Sequence, residues 1–174
     1  MRLVAAAAVL FALASCAPDP EPVPTPEPDL HAGTEETRLG DVRAFSDAQV
    51  ACLARTAYHE ARGEGRRGMA AVVHVVLNRT EALAWPDDPC AVVNQKSGDS
   101  CQFSWVCDGK SDEPKNLVAY GRALNVARAA AEGDLADPTD GAVMFHAKRV
   151  DPYWTDAAER TTEIGAHVFY KLDE

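Results

Sequence analysis

An α+β class, mainly helical with short strands, is predicted by three features of the sequence. Helix signals crowd the front of the folded part: Ser46-Asp47-Ala48-Gln49 has the form of a capping box, and the apolar run Met69 to Leu77 follows soon after. Strand-like segments are short and come late, at Ala142 to His146 and Gly165 to Tyr170, behind Asp137-Pro138 and Asp140-Gly141. No internal repeat is visible, and the roughly 130 residues that remain after the N-terminal segments suit one compact domain. Helices gathered first with strands behind them are the mark of segregated layers.

The chain begins with two segments outside that domain. Arg2 supplies a positive start, and Leu3 to Ala14 is apolar but too short to span a bilayer, so residues 1–15 are expected to be a signal peptide. Its end, Leu13-Ala14-Ser15-Cys16, resembles a bacterial lipobox, which implies cleavage before Cys16 and lipidation of that residue. Several acyl chains on one cysteine make a durable anchor. Ala17 rather than aspartate then favours the outer membrane over the inner, on the periplasmic side of the cell envelope. Residues 16–43 are expected to be a linker. Pro18, Pro20, Pro22, Pro24, Pro26 and Pro28 alternate with acidic residues, which favours extended, self-repelling chain. Residues 44–174 form the expected domain.

Within the domain, the first helix carries Val50, Leu53, Ala54, Ala57 and Ala61 at helical spacing and ends near Gly63 and Gly65. A second is expected from about Arg66 to Arg79, apolar on most sides and therefore central. Trp85 to Pro89 is a proline loop, and Cys90 to Val93 is short enough to be a strand or a helical turn. Cys101 to Cys107 reads as extended, closed by Asp108-Gly109. A third helix fits Asn116 to Glu132, with Leu117, Tyr120, Leu124 and Ala127 on one face.

Charge and cysteine use narrow the function. A formal net charge of −10 argues against a nucleic-acid partner. Apart from Cys16, the cysteines are Cys52, Cys90, Cys101 and Cys107, an even set that reads as two disulfides of an exported domain, with three pairings open. No Cys-x-x-Cys pair favours zinc instead. His59-Glu60 lacks the second histidine of a zincin helix, since that position is Gly63, and His74 inside an apolar helix reads as a core residue. Neither a metal nor another cofactor is expected.

Glu60 is the leading chemical candidate. It follows Leu53 and Ala57 on the apolar stripe, where a carboxyl retains its proton and can act as a general acid toward a leaving oxygen. Glu64 lies one turn on, too close in direction to stand across a sugar ring from Glu60, and reads as a tuner of its acidity or a cap of the second helix. One acid is expected, not two.

Ala57-Tyr58-His59-Glu60-Ala61-Arg62-Gly63-Glu64 with Asn78-Arg79 resembles the signature of the SleB/CwlJ cell wall hydrolases, the spore-cortex-lytic type. So do Cys101 to Trp105 with Asp108-Gly109, Gly141 to His146, and Ile164-Gly165 to Tyr170, in the same order across nearly the whole domain. The resemblance implies a small lysozyme-like fold acting on peptidoglycan as a lytic transglycosylase, with Glu60 as sole acid/base between N-acetylmuramic acid and N-acetylglucosamine. It further implies a glycan cleft in which Tyr58, Gln102, Phe103 and Ser104 bind sugars, with Trp105 beside them and His146, Tyr153 and His167 on the opposite wall. Ala61 stands where relatives often carry serine, so a hydrogen bond made there is absent. The expected protein is a monomer whose partners are peptidoglycan and, through the lipid, a membrane. The other readings are a wall amidase, N-acetylmuramoyl-L-alanine amidase, and a peptidoglycan-binding lipoprotein without turnover.

Overall fold

The computed structural model describes residues 44–172; the expected signal peptide, the Cys16 lipidation site and the linker lie outside them. The first element is α1 (Asp47–Ala61), opened by the expected capping box: Ser46 Oγ accepts from Gln49 N at 3.3 Å and Gln49 Oε1 accepts from Ser46 N at 2.8 Å. A tight corner leads into α2 (Gly65–Glu81), where Gly65 adopts φ +68°. Short α3 (Pro89–Val93) resolves the Cys90 ambiguity in favour of a helical turn, with Pro89 at its first position and Asp88 capping Ala91 N.

Next comes a small hairpin, β1 (Lys96–Ser97) with β2 (Ser100–Cys101), and then a 3-10 turn over Ser104–Val106. The extended reading of Cys101 to Cys107 is thereby corrected. A disulfide between Cys101 and Cys107 closes this segment into a ring, which forces the backbone to turn. The other bridge joins Cys52 of α1 to Cys90 of α3, settling the pairing that composition left open. Then α4 (Leu117–Ala131) runs from an Asn116 cap.

The last part is a three-stranded antiparallel sheet in the order β3-β5-β4, formed by β3 (Met144–Ala147), β4 (Ala158–Ile164) and β5 (His167–Leu172). A second 3-10 turn, Tyr153–Ala157, precedes β4. The sequence reading missed β4, whose Ala-Glu-Arg-Thr-Thr-Glu-Ile is largely polar because it is an edge strand, with Glu159, Arg160 and Glu163 exposed.

The main core joins α1, α2 and α4. Leu53, Ala57, Val72, Val73 and Val76 are fully buried there, and each such Val or Leu contributes about 1.5–3 kcal/mol. A second cluster sits between α2 and the sheet, where Ala71 and Val75 meet Ile164 and Phe169. The expected face of α4 is partly right: Ala127 is buried and Tyr120 and Leu124 pack against the main core, but Leu117 is 75 % exposed. Ala119, Ala123, Val126 and Ala130 complete the inward side. Small residues let α4 lie close to its neighbours, and Leu117 was the misleading marker. His74 is a core residue as expected: its Nε2 donates to Leu135 O at 2.9 Å, and burial lowers its pKa.

Asn78 and Arg79, near the end of α2, fasten the sheet to the helices. Asn78 donates to Asp137 Oδ2 at 2.9 Å and to Ala142 O at 3.0 Å; Arg79 Nε donates to Val143 O at 2.7 Å. Burial lowers the Arg79 pKa to about 10, and its guanidinium lies 5.6 Å from the ring centroids of both Trp85 and Phe103.

Candidate active site

Glu60 occupies the last turn of α1, half-buried beside the fully buried stripe of Leu53 and Ala57. Burial raises its pKa above the ordinary carboxylate value, and the negative charge of Glu64 raises it further. No hydrogen bond from another described residue stabilises its ionised form. Such a group keeps its proton to higher pH than an ordinary carboxyl does.

Glu64 stands just before α2 but makes no capping hydrogen bond. Its carboxylate turns toward the sheet instead, with Oε1 3.1 Å from Nδ1 of His167 on β5. The approach is out of line for a hydrogen bond, so the two groups touch without one. Oε2 is buried without a donor. Two glycines make room for this side chain. A Cβ on Gly68 would collide with Glu64 Cβ, and one on Gly165, which also holds φ +59°, would fall within van der Waals exclusion of Oε2. The tip of the β4–β5 hairpin is thus pressed onto the residue that acts on the acidity of Glu60.

The disulfide-closed segment forms a second wall. Trp105 stacks on His59 with ring centroids 4.5 Å apart and planes inclined by 13°, while His59 Nε2 donates to Asp112 O at 3.0 Å. Gln102 and Ser104 are exposed on either side of Phe103 and remain available to a ligand. Phe103 does not: it is 2 % exposed and packed in the main core, so its expected role as a sugar platform is corrected. Phe103 points inward just before the 3-10 turn, and Trp105, within the turn, is the half-buried ring left nearer the surface. Tyr58 is also buried, and its hydroxyl accepts from Asn116 N at 3.1 Å, which braces α1 against the start of α4.

The remaining expected residues separate. Residues facing each other across β3 and β5 share a side, so Phe145, Ala147, His167 and Phe169 look toward α2, and His146, Val168 and Tyr170 look away. His146 stacks on Tyr170 with its Nε2 3.1 Å from the Tyr170 hydroxyl, and meets Trp154 edge-on. Its sheet face is therefore opposite to that of His167, and the two do not form one wall. Tyr153 is 93 % exposed on the 3-10 turn.

A cavity of about 410 Å³ opens beside α1, lined among others by Tyr58, His59, Arg62, Trp105 and Lys115; Glu60 is not among its lining residues. The sequence reading missed this cavity. His59 and Arg62 flank Glu60 in the chain, which was the available signal, but Lys115 comes from a loop whose approach only the fold reveals.

Residues 63–170 match the family model described as Cell Wall Hydrolase, a stretch that starts just after Glu60. The spore cortex-lytic enzyme of Halalkalibacterium halodurans is 29% identical over 126 residues, covering 72% of this chain and 35% of that protein. That of Bacillus subtilis is 27% identical over 126 residues, covering 72% and 38%. The chain spans well under half the length of these curated relatives. Among solved structures, the catalytic domain of the germination-specific lytic transglycosylase SleB from Bacillus anthracis superposes with a TM-score of 0.59 at 25% identity, over 74% of this chain and 98% of that one. The catalytic domain of the Bacillus cereus SleB protein gives 0.58 at 25% identity, over 74% and 94%.

Proposed function

The chain belongs to the cell wall hydrolase family, of SleB/CwlJ type, and from that premise we propose that it cleaves peptidoglycan glycan strands as a lytic transglycosylase. We read the fold as lysozyme-like and Glu60 as the single acid/base. The observation that carries this reading is the half-buried Glu60 carboxyl, its pKa raised by burial and by Glu64, with no hydrogen bond to another described residue.

In the proposed reaction, Glu60 gives its proton to the oxygen joining N-acetylmuramic acid to N-acetylglucosamine. The bond from muramic C1 to that oxygen breaks as the bonding pair leaves with the oxygen. The muramic 6-hydroxyl oxygen closes onto C1, and its proton passes to the Glu60 carboxylate. Acid and base are one residue, water is not consumed, and a 1,6-anhydro end results. Glu64 supports a one-carboxylate mechanism because Oε1 is engaged with His167 and Oε2 is buried, leaving it badly placed as a second base or nucleophile. Gln102, Ser104 and Trp105 are proposed to meet the glycan, with His167 acting through Glu64.

Mass analysis of muropeptides released from sacculi tests the reading. Anhydromuropeptides are the expected product, and Glu60→Gln should lower their rate of release by about 10²–10⁴-fold, the usual share of a general acid. Freed stem peptides would mark an amidase instead, and binding without release would mark a non-catalytic protein. Release unaffected by a chelator would count against a zinc amidase.

We propose further that residues 1–15 are removed, that Cys16 is lipidated, and that residues 16–43 hold the monomeric domain away from the membrane at the periplasmic face of the envelope.

A further inference from the structure

The cavity beside α1 carries charge for which scission of a neutral sugar chain has no use. Its floor is aromatic, made by Tyr58 and by the stacked His59 and Trp105. Arg62 sits above the Tyr58 ring, 5.0 Å from its centroid. Neither Arg62 nor Lys115 has an ion-pair partner among the described residues, although both line the cavity. By contrast Lys110, on the same rim, is paired with Asp108 at 3.2 Å. Asp112 and Glu113 line the cavity too and are likewise free of any ion pair among the described residues. Two unpaired cations, two unpaired carboxylates and a flat apolar floor suit a zwitterionic peptide better than a saccharide.

We propose that this cavity is a subsite for the stem peptide that hangs from the muramic acid residue, a deepening that rests on the glycan-strand reading above. Arg62 and Lys115 take carboxylates of the peptide, Asp112 takes the free amine of a diamino acid, and the aromatic floor takes the peptide's alkyl stems. Reach is consistent with this. Tyr58, His59 and Arg62 lie within one turn of Glu60 on a helix about 10 Å across. An extended peptide advances about 3.3 Å per residue, so three residues leading away from the scissile muramic unit pass around the helix into the cavity.

Two measurements on the full chain test the assignment. The first is calorimetric titration with free stem tetrapeptide carrying a diamino acid. Wild type is expected to bind it, and Arg62→Ala/Lys115→Ala to bind at least tenfold more weakly. The second compares KM and kcat on glycan strands with their stem peptides and on the same strands stripped of them. Wild type should show a KM about tenfold lower for peptide-bearing strands, and the double variant should lose that preference while keeping its KM and kcat on stripped strands, which also shows that it folds. Absence of peptide binding by wild type, or equal preference in wild type and variant, overturns the subsite. Peptide binding that depends on Arg62 and Lys115, with no strand cleaved at all, would keep the subsite and sink the transglycosylase.

Discussion

Glu60 gains its character from two neighbours of opposite kind: the apolar α1–α2 corner, which disfavours any charge, and Glu64, which disfavours a negative one. In the proposed mechanism the reactive form is the protonated one, so activity should fall as pH rises through the Glu60 pKa. Glu64→Gln removes the nearby negative charge, lowers that pKa, and should move the alkaline limb of the pH–rate profile to lower pH while the plateau rate at acid pH changes little. An unshifted limb would show that Glu64 has only a packing role. Both glutamates were legible in the sequence, because helical spacing alone sets Glu60 on the stripe of Leu53 and Ala57. The contact of Glu64 with His167 was not legible. It joins residues that are remote in the chain, and the glycine that admits it, Gly165, looks like any hairpin turn until the sheet is docked.

Among the elements, α1 was readable because a capping box is local chemistry, whereas the inward face of α4 was readable only in part: Tyr120, Leu124 and Ala127 pack on the core, but alanine packs inside or outside with little penalty and Leu117 drew the eye outward. The strand β4 escaped notice because an edge strand need not alternate. What α2 does for the sheet is testable. Asn78→Ala removes donors to Asp137 and Ala142 and should cost about 1.5–3 kcal/mol, read as a lower urea midpoint. Burial alone would raise the Asp137 pKa, but hydrogen bonds from Thr139, Asn78 and Gly141 outweigh it, so the pKa is lowered from 3.8. A depressed carboxylate contributes stability above its unfolded pKa and loses it as pH falls through the folded one. The gap between wild type and Asn78→Ala should therefore narrow below about pH 3.8.

At the scale of the whole molecule, the two disulfides serve different ends. Cys52–Cys90 closes a loop with a sequence separation of 38, worth about 4 kcal/mol by chain entropy, and Cys101–Cys107 one of 6, worth about 2 kcal/mol. Replacing Cys52 and Cys90 by alanine should cost the more in unfolding free energy. Replacing Cys101 and Cys107 should cost the more in turnover, because that ring presents Gln102, Ser104 and Trp105. Chemical denaturation and muropeptide release, measured on both double variants, would expose any reversal of this ranking. Both bridges lie on the helical side of the chain, and the sheet of β3, β4 and β5 has none. The protein is in effect a stapled block with an unstapled flap, riveted by Asn78, Arg79 and the Ala71/Val75 packing. A reductant thus loosens the block that bears Glu60 and leaves the flap's own bonding untouched, so turnover should fail before the sheet comes apart.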